Sequence, residues 1–495
     1  MTKKETTKQE KTPYLSDINV AVIMDTFTYN SYKSEFNLFV LEPDNWEQIF
    51  NHNKIDIFFC ESAWRGVGRE NIIDGNAIEN DYKAWGGLIA VKLDAGTGKE
   101  KTLFDIIDYC NEKGIPTVFW NKEDPPSFDR FIDVALKFDY IFTTDEECIK
   151  KYEYMGHENV FPLLFASQTK MFNPIEQTPR SEEIIFAGSW PNKYLNRCAD
   201  MHNIFQKVLK AGYKLKIYDR NSEKEDTQYR FPEEYQEYVY PKVEHYQIPQ
   251  VYKEGKIGIN INTIQHSNTM FARRIFELMS SNTFVITNYS KGVYDLFKDN
   301  VVYLDKEESF NVTEEEIDRL CEHNLYDVLE NHTYTNRFKY LLDCIGFEYK
   351  EKHQRIHVFY IKDENVTLQE IKNDFKNIEY YYKYCKIITE DENIKNEDNL
   401  EFLTKDELYK LTESFTDEDY FIIRNMKTKL GKFIEKARLH YQYIEKNTAI
   451  TINDKKYTFH ESNEYENRLF NSVNYKKVLE NKYENKKNTF KTYNI

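Results

Sequence analysis

The chain has 495 residues, enough for two or three domains, and its 40% hydrophobic and 16% aromatic content excludes a disordered protein. A formal net charge of −16 argues against general nucleic-acid binding and against anionic membranes, unless a local basic patch compensates. No apolar run reaches transmembrane length, and residues 1–13 are charged without the apolar core of a signal peptide, so they read as a disordered tail. Seven scattered cysteines, with no C-x-x-C pair and an odd count, read as reduced buried thiols, which places the chain in a cytoplasm.

The first half alternates short apolar runs with helical stretches. Strands are expected at 18–24, 55–60, 116–120 and 139–143, and helices around 46–50, 103–113 and 128–137. This is a doubly wound α/β pattern, in which chemistry gathers at the carboxyl ends of strands. Three of those ends carry polar clusters: Asp25, then Glu61-Ser62, then Lys122-Glu123-Asp124. Asp25, Glu61, Glu123 and Asp124 are therefore candidates for a catalytic or acceptor-orienting carboxylate, although each could equally be a cap or a turn residue. Asp145 with Glu146 and Glu147 suits a helix N-terminus. The polar stretch 166–182, with Pro174 and Pro179, reads as an interdomain linker.

A second α/β unit opens with a strand from 183 that ends in Gly188-Ser189, where the missing side chain lets a phosphate approach the backbone. Lys193 and Arg197 place cationic groups at the start of the next helix. Neither G-x-G-x-x-G nor the P-loop pattern occurs, which argues against the dinucleotide fingerprint and a P-loop hydrolase. Further strands are expected at 214–219, 256–261 and 284–286. A polar loop at 260–268, containing His266 and Ser267, leads into a helix from about 269 to 280. Arg274 and Glu277 are three apart and share a helix face. A carboxylate there can accept two ribose hydroxyls and an arginine can meet a diphosphate, with a surface ion pair as the plain alternative. Residues 312–342 read as helical, in two pieces broken near 331–335.

From 349 the character changes. Strands at 356–361 and 385–388, a helix at 368–375, a long amphipathic helix at 426–444 and a hairpin at 449–459 suggest a smaller α/β unit. No D-x-D sits at a strand end, so an accessory or oligomerisation domain is expected. The Lys- and Asn-rich tail 480–495 reads as mobile, with a basic patch that could touch an anionic polymer or a membrane surface.

The run Arg274-Ile275-Phe276-Glu277, with its small-residue turn and Phe284-Val285-Ile286-Thr287-Asn288, resembles the R-x-F-E signature of GT-B glycosyltransferases. The nearest relatives by this likeness are the spore-maturation-protein type and bacterial surface-polysaccharide enzymes. Cys60-Glu61-Ser62-Ala63-Trp64 and the segment from Trp120 to Pro125 are similar to the N-terminal domain of that group. The resemblance implies two Rossmann-like domains facing a cleft: an acceptor domain at 14–165 and a donor domain at 183–348, with 349–495 as an accessory α/β domain. That last segment faintly resembles a truncated nucleotide-diphospho-sugar transferase sheet. Glu277 would hold the donor ribose, the loop between Tyr240 and Tyr252 would border the base, and Gly188, Ser189, Lys193, Arg197, His266, Ser267, Arg273 and Arg274 would surround the sugar and diphosphate.

The implied reaction uses a nucleotide sugar, a UDP-sugar, with no metal and no further cofactor, and retains anomeric configuration. The acceptor would be a glycan, a lipid-linked molecule or a protein in bacterial cell-surface or spore glycan synthesis. Two departures stand out. Related retaining families carry an acid eight positions before the Glu, where this chain has Thr269, and the usual small-Gly turn is Ser280-Ser281-Asn282. An inactive nucleotide-sugar-binding partner of a transferase, or a structural spore or surface-layer protein, remain as alternatives.

Overall fold

The inner strands of the first sheet are short, apolar and buried on both faces, as a covered parallel sheet requires. In the computed structural model, which describes residues 12–90, 98, 100–223, 227–362, 365–389, 396, 400–484 and 486–495, this sheet is built from 19–162. Its elements are β1 (Asn19–Ile23), α1 (Thr26–Tyr32), β2 (Asn37–Val40), α2 (Trp46–His52), β3 (Ile57–Glu61), a small hairpin β4 (Ile72–Ile73) and β5 (Asn76–Ala77), α3 (Lys101–Lys113), β6 (Thr117–Asn121), α4 (Phe128–Ala135), β7 (Tyr140–Thr143), α5 (Ile149–Tyr154) and β8 (Val160–Pro162). The strand order is β2-β1-β3-β6-β7-β8, all parallel. Every residue of β3 and β6 is buried. On α3, Leu103, Ile106, Ile107 and Cys110 fall on one face and enter the core beside Phe58 and Phe119. Gly114 ends that helix in the left-handed conformation at φ 69°.

The second sheet comprises β9 (Ser181–Gly188), α6 (Leu195–Lys210), β10 (Leu215–Asp219), β11 (Val239–Tyr240), α7 (Ile248–Glu254), β12 (Gly255–Asn260), α8 (Arg274–Ser280), β13 (Phe284–Thr287), α9 (Lys291–Phe297) and β14 (Val302–Tyr303). Its order, β11-β10-β9-β12-β13-β14, is again all parallel. That is the Rossmann order, and it reverses between β9 and β12, the place where such sheets bind ligands. Two helices then tie the sheets together. On α10 (Glu314–Asn331), capped by Thr313, Ile317 and Leu320 lie in the second sheet's core. On α11 (Tyr334–Cys344), Tyr334, Phe338, Leu341 and Leu342 cross back to pack with Val20, Val22 and Phe59 of the first sheet. Both sheets belong to one compact unit, 1–172 with 180–351.

The expected linker is not uniform. Ala166, Ser167 and Phe172 are buried in this first unit, while 173–179 group with the second, where the Glu176 N–H bonds the Tyr457 carbonyl at 3.1 Å.

The second unit, 173–179 with 352–495, has its own core. It contains β15 (Arg355–Ile361), α12 (Leu368–Lys376), β16 (Lys383–Ile388), β17 (Leu400–Leu403), α13 (Lys405–Leu411), β18 (Asp419–Arg424), α14 (Phe433–His440), β19 (Ala449–Thr451), β20 (Phe459–Ser462), β21 (Phe470–Asn471), α15 (Tyr475–Tyr483) and β22 (Phe490–Asn494). The main sheet runs β17-β16-β15-β18-β21, parallel except for β21. Three expectations fail here. The helix expected at 426–444 is only the short α14, because the chain turns before it and Gly431 adopts φ 52°. The expected hairpin does not pair with itself: β19 and β20 each pair with β22. The tail is therefore structured, with Phe490 and Tyr493 buried, and its basic patch is partly neutralised by Lys486 pairing with Glu480 and Glu484. Of the expected N-terminal tail, 1–11 lie outside the described residues.

Candidate active site

At the carboxyl ends of β1, β3 and β6, Asp25, Glu61 and Lys122 form a buried ionic knot. The Lys122 Nζ lies 3.0 Å from Glu61 Oε1 and 3.5 Å from Asp25 Oδ2. Glu61 has no exposed surface, and its two oxygens also accept from the Asp25 N–H and the Thr28 hydroxyl. Burial pushes its carboxyl up to about 7 against the pull of Lys122. Asp25 goes the other way. Burial works to raise it, but Lys122 and the N–H groups of Trp64, Arg65 and Gly66 outweigh that and hold it below the usual range. Those three N–H bonds, at 2.8–3.0 Å, fix the loop after β3.

Asp124 is also fully buried. It accepts from Asn121, Thr143 and Tyr152 at 2.6–2.9 Å, and burial raises it to about 7. Glu61 and Asp124 thus hold strand ends and loops in place and have no exposed surface. Glu123 is half-buried beside Lys122.

The cleft of this unit lies between its two sheets and has a volume of about 230 Å³. The first sheet contributes Thr26, Phe27 and the segment Ala77-Ile78-Glu79. The second contributes Gly188, Ser189, Arg197, Arg220, His245, Tyr252, Arg273, Arg274 and Glu277. Gly188 is required by close approach: a Cβ there would come 2.7 Å from the Phe186 ring and 3.2 Å from Arg274 Nη2. Arg274 lies over Phe186, 5.2 Å from the ring centroid, and its Nε and Nη1 are buried without a hydrogen bond. Arg197 bonds the Ile261 carbonyl and Thr263 through Nη1, but its Nε is buried and unpaired. Burial, then the neighbouring Arg274 and Arg220, pull Arg197 down to about 10. Burial and Arg273 likewise lower Arg220. Arg197 and Arg274 thus bring positive charge together with nitrogens that no protein group meets among the described residues, a setting suited to a polyanion.

Glu277 lines the same cleft and is 3% exposed. Its partner is Arg273, one full turn away, with Nε 3.0 Å from Oε1, while the Tyr252 hydroxyl donates to Oε2 at 3.2 Å. The plain alternative of an Arg274–Glu277 ion pair is not what the structure shows. Helix α8 starts at Arg274, later than expected, and Arg273 at its N-cap keeps helical backbone angles, so the 273–277 spacing brings the two side chains together. Arg273 also stacks on Phe27 of the first sheet, 3.5 Å from the ring centroid.

Three expected donor contacts lie elsewhere. Lys193 and His266 are exposed and do not line the cleft. Ser267 is buried, and its hydroxyl binds Asp145 and Glu147. It belongs to a clasp between the two sheets, in which the Asn268 N–H bonds Glu147 at 2.9 Å and the Glu146 N–H bonds the Thr269 hydroxyl at 2.8 Å. Thr269, where related retaining enzymes carry an acid, donates to the Thr144 carbonyl at 2.8 Å. The sequence reading did not name Glu79, Arg220 or His245, although the loop between Tyr240 and Tyr252, which carries His245, was set beside the base. Arg220 was findable, since it follows the buried Asp219 at a strand's carboxyl end. His245 sits in a loop with no periodicity to mark it. Among the described residues, no cluster of three or more His, Cys, Asp or Glu side chains could hold a metal ion, and no helix is long and apolar enough to cross a membrane.

Two doubly wound parallel sheets thus face an arginine-rich cleft at their switch points. Residues 197–343 match a family model described as glycosyl transferase-like, a span that runs from Arg197 into α11. Among solved structures, the chain is similar to TarM at 12% identity, covering 58% of this chain and 54% of that one, with a TM-score of 0.36. It is similar to an alpha-glucosyltransferase solved with UDP and a 13-mer DNA containing an HMU base, at 10% identity, 67% and 100% coverage and a TM-score of 0.44. An alpha1,3-fucosyltransferase matches at 12% identity, 70% and 92% coverage and a TM-score of 0.31. The match thus spans about half the length of TarM (54%). Comparison with curated proteins gives no match.

Proposed function

We propose that the chain moves a sugar from a UDP-sugar to a glycan, lipid-linked or protein acceptor in bacterial cell-surface or spore glycan synthesis, with retention and without a metal. The observation that carries this reading is the set of buried, unpaired nitrogens on Arg197 and Arg274, gathered where the Gly188 strand end leaves room for a phosphate. Fixed guanidinium charge there would neutralise the departing nucleoside diphosphate. Residues 183–348 take the donor and 14–165 the acceptor. Glu277 is already oriented by Arg273 and Tyr252, and each oxygen keeps a lone pair for a ribose hydroxyl. Asp25, through Lys122 and the 64–66 backbone, shapes the acceptor side.

Calorimetric titration with UDP, GDP and ADP, followed by transfer assays with the matching nucleotide sugars, tests the reading. Saturable nucleotide binding plus sugar release supports it, and the absence of both defeats it.

A second reading, a nucleotide-sugar-binding partner without transfer activity, draws on Thr269 being committed to the clasp and on the interior position of Glu61 and Asp124. Nucleotide binding without hydrolysis or transfer would favour it.

A further inference from the structure

Arg197 on α6 and Arg274 on α8 carry the donor reading, and a buried ladder of amides at the carboxyl ends of β12 and β13 links the supports of both. Asn260, Asn262 and Asn288 have no exposed surface. Asn288 grips the backbone of Asn262 from both sides. Its Oδ1 accepts from the Asn262 N–H at 2.8 Å, and its Nδ2 donates to the Asn262 carbonyl at 3.0 Å. The Asn262 side chain then reaches two further segments. Its Nδ2 donates to the Thr287 hydroxyl at 3.1 Å, and its Oδ1 accepts from the Ala272 N–H at 2.9 Å. A backbone N–H can only donate, so each of these amides has one orientation that satisfies the ladder.

The neighbours of Asn262 hold one arginine, and its side chain holds the approach to the other. The Ile261 carbonyl and the Thr263 hydroxyl accept from Arg197 Nη1 at 3.0 and 2.9 Å. Ala272 immediately precedes Arg273 and Arg274 at the start of α8. Asp200, three residues beyond Arg197 on α6, would be an ordinary ion-pair partner for that guanidinium. Its Oδ2 instead accepts from Asn288 Nδ2 at 2.8 Å and Gln265 Nε2 at 2.6 Å. Asn262 itself does not line the cleft. We propose that Asn262 is a positioning residue for the donor diphosphate: it fixes Arg197 and Arg274 relative to each other and touches no ligand. With the supports of both arginines set in advance, a ligand need not order two long side chains on binding.

The proposal rests on the donor reading above, in which these two arginines meet the diphosphate, and a double-mutant cycle on the full-length chain tests it. Whichever of UDP, GDP and ADP binds best is titrated into the wild-type chain, Asn262→Ala, Arg197→Gln/Arg274→Gln and the triple variant, with melting temperatures measured on the same preparations. Asn262→Ser joins the series because it keeps a hydroxyl in the ladder, and it carries the cycle where the alanine variant does not fold. The expected result is a loss of roughly tenfold in nucleotide affinity when Asn262 is replaced in the wild-type background, and of less than about twofold once both arginines are gone. A merely structural asparagine gives the same loss in both backgrounds. That result, or an unchanged affinity in the wild-type background, overturns the proposal. A wild-type chain that binds none of these nucleotides, or binds them equally well without the two arginines, overturns the donor reading itself, and this proposal with it.

Discussion

Arg273 and Glu277 are joined Nε to Oε1 at 3.0 Å across one turn of α8, while the adjacent Arg274 turns to Phe186 and the Gly188 strand end. Two neighbouring arginines therefore have different tasks. Arg273 orients the acid and stacks on Phe27 across the cleft, and Arg274 keeps nitrogens free for a ligand.

Glu277→Ala removes the oriented carboxylate. Nucleotide affinity is expected to fall roughly tenfold or more. Folding should persist, because the freed Arg273 side chain is 35% exposed and can be solvated. Calorimetry with UDP and a thermal scan of the same variant check both halves, and unchanged affinity removes the ribose role.

Gly188→Ala places a methyl against Phe186 and Arg274. The ring sits in the core and cannot yield easily, so Arg274 is displaced. The expected outcome is a loss of pyrophosphate affinity larger than any loss of thermal stability, measured on one preparation by calorimetry and scanning fluorimetry.

Glu61 carries a pH signature. Its folded value of about 7 lies above the ordinary 4.5, so the folded state binds the proton more tightly and stability falls as pH rises from about 4.5 to 7. Asp124 acts in the same direction from 3.8. Asp25, held low, has its opposite effect in acid, below its ordinary 3.8. Lys122→Met should cost about 3 kcal/mol at pH 8, where Glu61 would be buried and charged, and much less at pH 5. Denaturant titrations at the two pH values measure the difference, and equal losses would contradict the ionic knot.

Ser267→Ala cuts the clasp at its centre, leaving Asp145 and Glu147 facing each other without the shared hydroxyl. A loss of about 1–3 kcal/mol is expected. Amide exchange should rise at 145–148 and 267–270 together, since each segment is held by the other, and a rise confined to one of them would argue against the clasp.

Much of the fold was legible because parallel strands buried on both faces must be continuous apolar runs, as in Ile57-Phe58-Phe59-Cys60 and Phe284-Val285-Ile286. The half-buried edge strand β2 lacks that signature and was missed. At the site, residue types at strand ends were readable but their depth was not. Glu61 and Asp124 look like reactive carboxylates in one dimension, and only the tertiary partners Lys122, Thr143 and Tyr152 show them facing inward. Ser267 looked like a loop donor because its partner Asp145 is 122 residues away. Arg274 and Glu277 were readable as sharing a helix face and both line the cleft, but the ion pair of Glu277 with Arg273 depends on Arg273 keeping a helical backbone at the N-cap of α8, which the sequence does not mark.

The most direct measurement is a calorimetric titration of UDP into the wild-type chain and into Arg197→Gln/Arg274→Gln. Saturable binding that weakens by roughly a hundredfold in the double variant, with its melting temperature kept, is the predicted result. Equal binding by both proteins would mean that the unpaired guanidiniums are not where the diphosphate sits.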